Sequence, residues 1–325
     1  MRRREFIAEL GSAATCAVVT AAQQNKVWRI GMLDTAPQEL NAVNLAAFRQ
    51  RLRELGYIEG QNLAIEYRTA GGRSDRLPEV VSELLRLKVD TLVVRGTQEA
   101  LAVKNATTTV PVIMSAVTDP VRSGLATGLA RPGGNFTGMV SFAAELAGKN
   151  VELLRAMVPT IKLLASLRDA SNPAAAMQWE EIQQAGHLLG IETRSFDVQN
   201  AADVSRAFDV ASRDRVDAIY VNVDSVNRAN QLQIIGLAAQ HKLPAIYSAR
   251  EFVERGGLAT YAVSYPQLYS RTADLADKVF KGTNPADIPF EQPTKFELVL
   301  NLKTAKALGL TIPETLLATA DEVIQ

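Results

Sequence analysis

The chain of 325 residues is poor in the side chains that enzymes most often use for chemistry. It has one cysteine, Cys16, and two histidines, His187 and His241. A single thiol excludes an internal disulfide, a C-x-x-C redox pair and a thiolate zinc site. The two histidines fall in predicted helices beside leucines and read as surface residues, not as a metal or catalytic pair. There is no G-x-S-x-G elbow, no G-x-x-x-x-G-K-[ST] loop and no H-E-x-x-H. Nor does a G-x-G-x-x-G come after the first predicted strand, where Gly31 runs into Met32, Leu33 and Asp34. The aspartates are scattered, and no pair has a spacing that demands acid–base work. Lys plus Arg is 35 and Asp plus Glu is 35, so no basic excess points to nucleic acid or an anionic membrane. No catalytic residue, metal site or cofactor is expected.

The first segment, MRRREFIAELGSAATCAVVTAAQQ, differs in composition from the rest of the chain. Three arginines precede a run of small and apolar residues that Glu9 interrupts, too short to span a bilayer of ~20 apolar residues. A basic start, a small-residue middle and the Thr20-Ala21-Ala22 end have the anatomy of a secretory signal over residues 1–22. Arg3-Arg4-Glu5-Phe6-Ile7 is similar to a twin-arginine export motif. The expected location is therefore the periplasm. A lipid anchor on Cys16 is the less favoured alternative, because Ala13, Ala14 and Thr15 make a poor lipoprotein box.

From Val27 onward, β-rich apolar runs alternate with amphipathic helical stretches. The pattern predicts strands over 27–33, 62–68, 91–95, 111–117 and 136–142. Helices are predicted over 44–55, 75–87 and 98–106, with a short helical piece near 124–129. The alternation then restarts: helices over 146–157, 173–189, 203–213, 228–242 and 266–281 separate strands over 162–168, 191–198, 218–223, 245–248 and 258–263. A last strand covers 296–301 and a helix 302–308. Such spacing means βαβ units and parallel sheets. Two successive halves of similar size predict an α/β protein of two doubly wound lobes, with a ligand between the carboxyl ends of their strands.

Polar residues gather at those strand ends. Asp34-Thr35, Gly96-Thr97-Gln98 and Thr118-Asp119-Pro120 do so in the first half; Ser171-Asn172-Pro173, Asn222, Asp224, Ser248, Arg250 and Glu251 do so in the second. Many such residues simply cap helices, and Asp75 and Asp203 are read only as caps. For Thr97 and Asn172, capping and ligand binding are compatible, because a helix N-terminus offers free N–H groups and positive potential to a carboxylate. Arg95 is a charge at the end of a strand expected to be buried, either paired with an acid or reaching into the cleft.

Several long segments carry a family resemblance: AAFRQRLRELGYIEGQNLAIEYR, ATTTVPVIMSAVTDPVRSGL, ARPGGNFTG, LPAIYSAREFVERGGLATYAVSY and QPTKFELVLNLKTAKALGLTIPETLLATADEVI. They resemble, almost end to end, the periplasmic solute-binding proteins of ABC importers. The class is the type I, two-lobed one, in the family with tryptophan- and aromatic-amino-acid-binding members. The resemblance implies three crossing segments, near Ser141, near Tyr261 and near 291–293. Lobe 1 would then be 27–141 plus 262–325, and lobe 2 would be 142–261. It implies a small-molecule ligand, an ABC permease and its ATPase as partners, and no membrane span in the mature chain.

The expected ligand residues are Asp34, Thr35, Gly96, Thr97, Gln98, Thr118, Asp119, Asn172, Asp224, Ser248, Arg250 and Tyr261. Thr97-Gln98 would hold a carboxylate, which Arg95 and Arg250 also favour; Asp224, with Asp119 as a second candidate, would meet an amine, and Tyr247 or Tyr261 would supply an apolar wall. Arg95 and the Asn222–Ser225 stretch depart from close relatives and touch the expected cleft, so the ligand's identity stays open between an amino acid and an aromatic carboxylate. Two other readings stay open on the residues alone. One is a hydrolase or isomerase using Asp34, Asp119 and Asp224 on the same fold; the other is a sensory or effector-binding domain.

Overall fold

The computed structural model describes residues 26–325, so the expected export signal at 1–22 and Cys16 lie outside the described residues. Two sheets form two lobes. The first contains β1 (Trp28–Asp34), β2 (Leu63–Thr69), β3 (Thr91–Val94), β4 (Val112–Val117) and β5 (Phe136–Val140), ordered β2-β1-β3-β4-β5 and parallel throughout. Between these strands run α1 (Ala42–Glu54), α2 (Leu77–Arg86) and α3 (Thr97–Ala106).

Period-two alternation sets the two faces of this sheet. Ile30, Met32, Val93 and Ile113 pack with Leu45, Phe48 and Leu52 of α1. Leu33, Leu92, Val94 and Met114 pack with Val80, Val81 and Leu84 of α2. Both faces are covered, which is why these strands are nearly continuous apolar runs. At Gly138 of β5 (φ +152°) a Cβ would stand 2.2 Å from the Met114 carbonyl oxygen, so only glycine permits this strand pair.

The second lobe begins with α4 (Glu145–Met157), then β6 (Leu163–Arg168), α5 (Pro173–Leu189), β7 (Glu192–Asp197), α6 (Ala201–Arg213) and β8 (Ala218–Val221). It continues through α7 (Ser225–Ala229), α8 (Gln231–Gln240), β9 (Ala245–Tyr247), α9 (Arg250–Glu254) and β10 (Ala259–Val263). Pro173 starts α5 and Gly190, in the left-handed conformation, ends it, as the sequence predicts. The long helix expected over 228–242 is two helices. The caps also differ: Asn200 caps α6 while Asp203 sits inside it, and Asp75 lies in a 3-10 turn ahead of α2. The stretch near 124–129 is a series of turns, not a helix.

The chain then returns. The helix α10 (Tyr265–Phe280) packs on α1 and the first sheet, with Leu268 and Tyr269 in the core that α1 shares. Glu291 bridges to Met139 beside β5. After that the chain crosses again, and β11 (Phe296–Asn301), α11 (Leu302–Ala307), α12 (Glu314–Thr319) and β12 (Glu322–Ile324) belong to the second lobe. The second sheet runs β12-β11-β10-β9-β8-β6-β7, parallel except that β11 pairs antiparallel with β10, Ala259 facing Leu300 and Val263 facing Phe296. This corrects the division read from the sequence. Within 262–325, residues 265–291 lie with the first lobe, whereas 296–325 complete the second by burying Leu298, Val299 and Leu300. Tyr261 is correspondingly a strand residue of the second sheet, and that crossing comes after Val263. No helix among the described residues is long and apolar enough to cross a membrane.

Candidate functional site

The carboxyl ends of the two sheets face each other, and the loops that leave them meet in a closed seam. On lobe 1, β3 delivers Gly96 as the N-cap of α3, with Thr97 at its first turn. The Thr97 hydroxyl accepts the Thr118 N–H at 3.3 Å, and the Thr118 and Ser141 hydroxyls are hydrogen-bonded at 3.3 Å. This ties the ends of β3, β4 and β5 into one polar wall. On lobe 2, Asn172 caps α5 by accepting the Ala174 N–H at 3.0 Å, and Asp224 caps α7 by accepting the Asn227 N–H at 2.8 Å.

Asp224 is enclosed. Its carboxylate also accepts the Asp169 N–H and the Asn227 side-chain amide, each at 2.9 Å, but no cation. Burial pushes its carboxyl up to about 7; the backbone donors at Asn227 and Asp169 oppose the shift and the charge of Asp169 adds to it.

A second group of buried charges fills the adjoining seam. Arg228 of lobe 2 grips Asp34 of lobe 1 with two parallel bonds, Nη1 to Oδ1 at 2.8 Å and Nη2 to Oδ2 at 3.2 Å. Its Nε reaches Glu251 at 3.3 Å, and Glu251 also accepts from Arg95 of lobe 1 at 3.0 Å. The Arg95 guanidinium donates to Asn41 and lies 4.6 Å from the Tyr265 ring centroid. Burial raises the Asp34 carboxyl, but Arg228, and then Arg95, outweigh it and hold the group below the usual carboxylate range. The two guanidiniums and the two acids cancel.

Between these groups lies a cavity of about 40 Å³ whose walls include Thr97, Glu99, Thr118, Asn172, Asp224 and Tyr265. A smaller space of about 10 Å³, bounded by Asn150, Tyr220, Ser248 and Tyr261, shares the Ser141 and Tyr265 walls with it. So the structure brings Gly96, Thr97, Thr118, Asn172 and Asp224 to one cavity, and Ser248 and Tyr261 to the neighbouring one. Gln98 closes the seam by donating to Asp169 at 3.0 Å and Ser171 at 3.2 Å across it. Asp34 and Thr35 stand behind the wall, engaged with Arg228 and Glu99.

Two expected residues are elsewhere. Asp119 (φ +33°) spends its carboxylate on the N–H groups of Val121 and Arg122 in its own turn. Arg250 is turned outward to Glu254, Glu297 and Glu322, because it opens a helix whose next turn supplies Glu254. The three carboxylates that a hydrolase would need are thus separately engaged and do not converge. No group of His, Cys, Asp and Glu among the described residues is placed to hold a metal.

Sequence reasoning missed Glu99 and Arg228, and placed Glu251 at a strand end without a role. Glu99 stands third in α3 after its N-cap, where a glutamate reads as half of a capping box. Instead it is only 2% exposed and accepts from the Thr35 N–H at 3.1 Å, the Thr35 hydroxyl at 2.6 Å and the Ser225 hydroxyl at 3.2 Å.

Two Rossmann-like lobes with three crossings and a polar cleft define a type I periplasmic binding protein. The chain belongs to the family of ABC transporter substrate binding proteins, whose family model matches residues 42–324. It is 27% identical over 263 residues to a tyrosine-binding protein of Clostridioides difficile, covering 81% of this chain and 75% of that one. Among solved structures, an ABC domain of Streptococcus pneumoniae in complex with L-Trp is 29% identical at a TM-score of 0.85, covering 92% of this chain and all of the other. A conserved domain protein of Vibrio cholerae matches at 28% identity, the same coverage and the same TM-score. Proteins of this family are solute-binding proteins, not enzymes.

Proposed function

We propose that this protein is the extracytoplasmic solute-binding component of an ABC importer, and that it closes its lobes over an amino acid and hands it to a permease driven by an ATPase. The observation that carries this reading is the pairing of complementary groups across one cavity. The N-terminus of α3 with Thr97 comes from lobe 1, and the cation-free carboxylate of Asp224 comes from lobe 2. The helix end suits a carboxylate and Asp224 suits an ammonium. The tyrosine and L-Trp named for two relatives support an aromatic amino acid, with the Tyr261 side of the cavity as the wall for its ring. A cavity of about 40 Å³ has room for only a few water molecules, so such a solute enters with the lobes parted and Gln98 released from Asp169. Export to the periplasm, through the twin-arginine-like segment at 1–22, belongs to the same reading.

The test is a thermal-shift screen over amino acids, aromatic acids, sugars and polyamines, and then calorimetry on Thr97→Ala and Asp224→Ala. An amino acid should give the largest shift, and each substitution should weaken its binding by about tenfold or more, one good polar contact. A sugar giving the largest shift, or two substitutions without effect, would overturn the assignment.

A further inference from the structure

The charges around the cavity do not balance. Arg228 and Arg95 are committed to Asp34 and Glu251, and these four groups neutralise one another, while Asp169, behind Asp224, adds a further buried acid to the seam. Glu99 and Asp224 are each 2% exposed, both line the cavity, and neither meets a cation among the described residues. They belong to opposite lobes and are linked only through Ser225, which comes directly after Asp224 in sequence and donates to Glu99 across the seam.

Glu99 has a further asymmetry. Its Oε1 takes all three of its hydrogen bonds, from Thr35 twice and from Ser225. Its Oε2 accepts from no donor among the described residues and lies on the Gly96 side, 3.1 Å from where a Cβ on that residue would be. Gly96 lines the same cavity, so the free oxygen is presented to it with no side chain in the way. A carboxylate oxygen left without a donor in a buried site is costly, and a ligand ammonium, with three N–H donors, would give Glu99 Oε2 the donor it lacks and the Asp224 carboxylate, already hydrogen-bonded, the cation it lacks.

We propose that Glu99 of lobe 1 and Asp224 of lobe 2 form a two-carboxylate clamp for an ammonium group, so that the cleft selects amines and rejects carboxylates that lack one. The proposal rests on the reading of this cleft as a solute site and narrows it. A zwitterion places its carboxylate at Thr97 and its ammonium between the two acids. An aromatic acid without an amine would bring its carboxylate to a cavity walled by two acids and offer neither of them a cation. The clamp also couples ligand to closure, since an ammonium held by both acids contacts both lobes at once.

The experiment is calorimetry with L-tyrosine, tyramine and 3-(4-hydroxyphenyl)propionate, and the corresponding tryptophan series, on the wild-type protein and on Glu99→Gln. A glutamine keeps an Oε1 for Thr35 and Ser225 while removing the charge and the free acceptor. The parent amino acid should bind, the decarboxylated amine should retain measurable binding, and the deaminated acid should be weaker than its parent by about 100-fold, as for loss of a charge-assisted contact. Glu99→Gln should weaken the amino acid by about tenfold or more with little change in melting temperature. A deaminated acid that binds as tightly as its parent, or a Glu99→Gln variant with unchanged affinity, overturns the clamp while leaving the solute-binding reading intact. If neither series binds and a neutral sugar does, the reading of the cleft fails and the clamp with it. The wild-type series stands alone should Glu99→Gln not fold.

Discussion

Replacing Asp224 by asparagine should flatten a pH-dependent part of the stability. Burial, with Asp169 beside it and no cation to compensate, lifts the Asp224 carboxyl from 3.8 to about 7. A group whose folded value lies above its unfolded one contributes stability that is complete below the unfolded value and lost as pH rises through the folded one. The window here is therefore about pH 4 to pH 7, and the full loss is on the order of 4 kcal/mol. About two-thirds of it falls between pH 5 and pH 8, which at ~2–4 °C per kcal/mol for a protein of this size is a drop of roughly 5–10 °C in Tm. Ligand-free wild type and Asp224→Asn should be compared by calorimetric melting at half-unit steps from pH 4.5 to 8.5. The variant's Nδ2 will face the Asp169 N–H that Asp224 accepts, and that cost is the same at every pH, so the difference between the two curves carries the result. An ammonium ligand reverses the preference by favouring the carboxylate. Binding should then release a proton below pH 7, visible as a buffer-dependent heat, and affinity should rise with pH up to about 7. Parallel melting curves for wild type and variant, with no proton release, would refute the account of Asp224 as a buried, cation-free acid.

The ion pairs of the seam make a second prediction. Arg228→Met strands Asp34 in the interior and should cost about 3–5 kcal/mol, with a more open particle in small-angle scattering; adding Asp34→Leu should recover most of the melting temperature. Because Asp34 is held low, its own contribution is present above about pH 4 and is lost as the pH falls through its depressed value. In the first sheet, Gly138→Ala should destabilise lobe 1 by about 2 kcal/mol or more, since the new Cβ meets backbone at 2.2 Å and not a yielding side chain. An Ala variant that melts with the wild type would show that β5 can move off β4 freely.

The fold was legible wherever a local signal decided it. Pro173 and Gly190 bracket α5 in sequence as they do in space, and the β1 residues alternate between two helical layers as their period requires. What sequence could not show was the partner of the last strands. Phe296–Asn301 has the apolar content of a strand for either lobe, and only its pairing with Ala259–Val263 places it in the second. The site divides in the same manner. Thr97, Thr118 and Asn172 were visible because polar residues after strands are positioned by the strands themselves. Arg228 and Glu99 were not, because each sits on a helix where a charge reads as a solvated face. Their burial comes from the opposite lobe, 194 residues away for the Arg228–Asp34 pair and 126 for Ser225–Glu99. Arg250 misled for the converse reason: its acid partner lies one turn on, in a helix of five residues too short to announce itself.

The chemistry of the seam bears on how such a protein can open at all. Polar pairs cross it: Arg228 with Asp34, Arg95 with Glu251, Gln98 with Asp169, Ser225 with Glu99 and, at the surface, Arg122 with Glu180. Polar partners exchange with water when the lobes part, so each contributes only about 1 kcal/mol net, more for a charged pair. Glu99 and Asp224 do not favour closure, because they bring two acids, neither paired with a cation among the described residues, to one cavity. The balance between open and closed then rests with whatever occupies the cavity, and a ligand shifts it by as much as it prefers the closed form. An ammonium that reaches both acids contacts the two lobes at once only when they are shut, which supplies the differential affinity that closure requires.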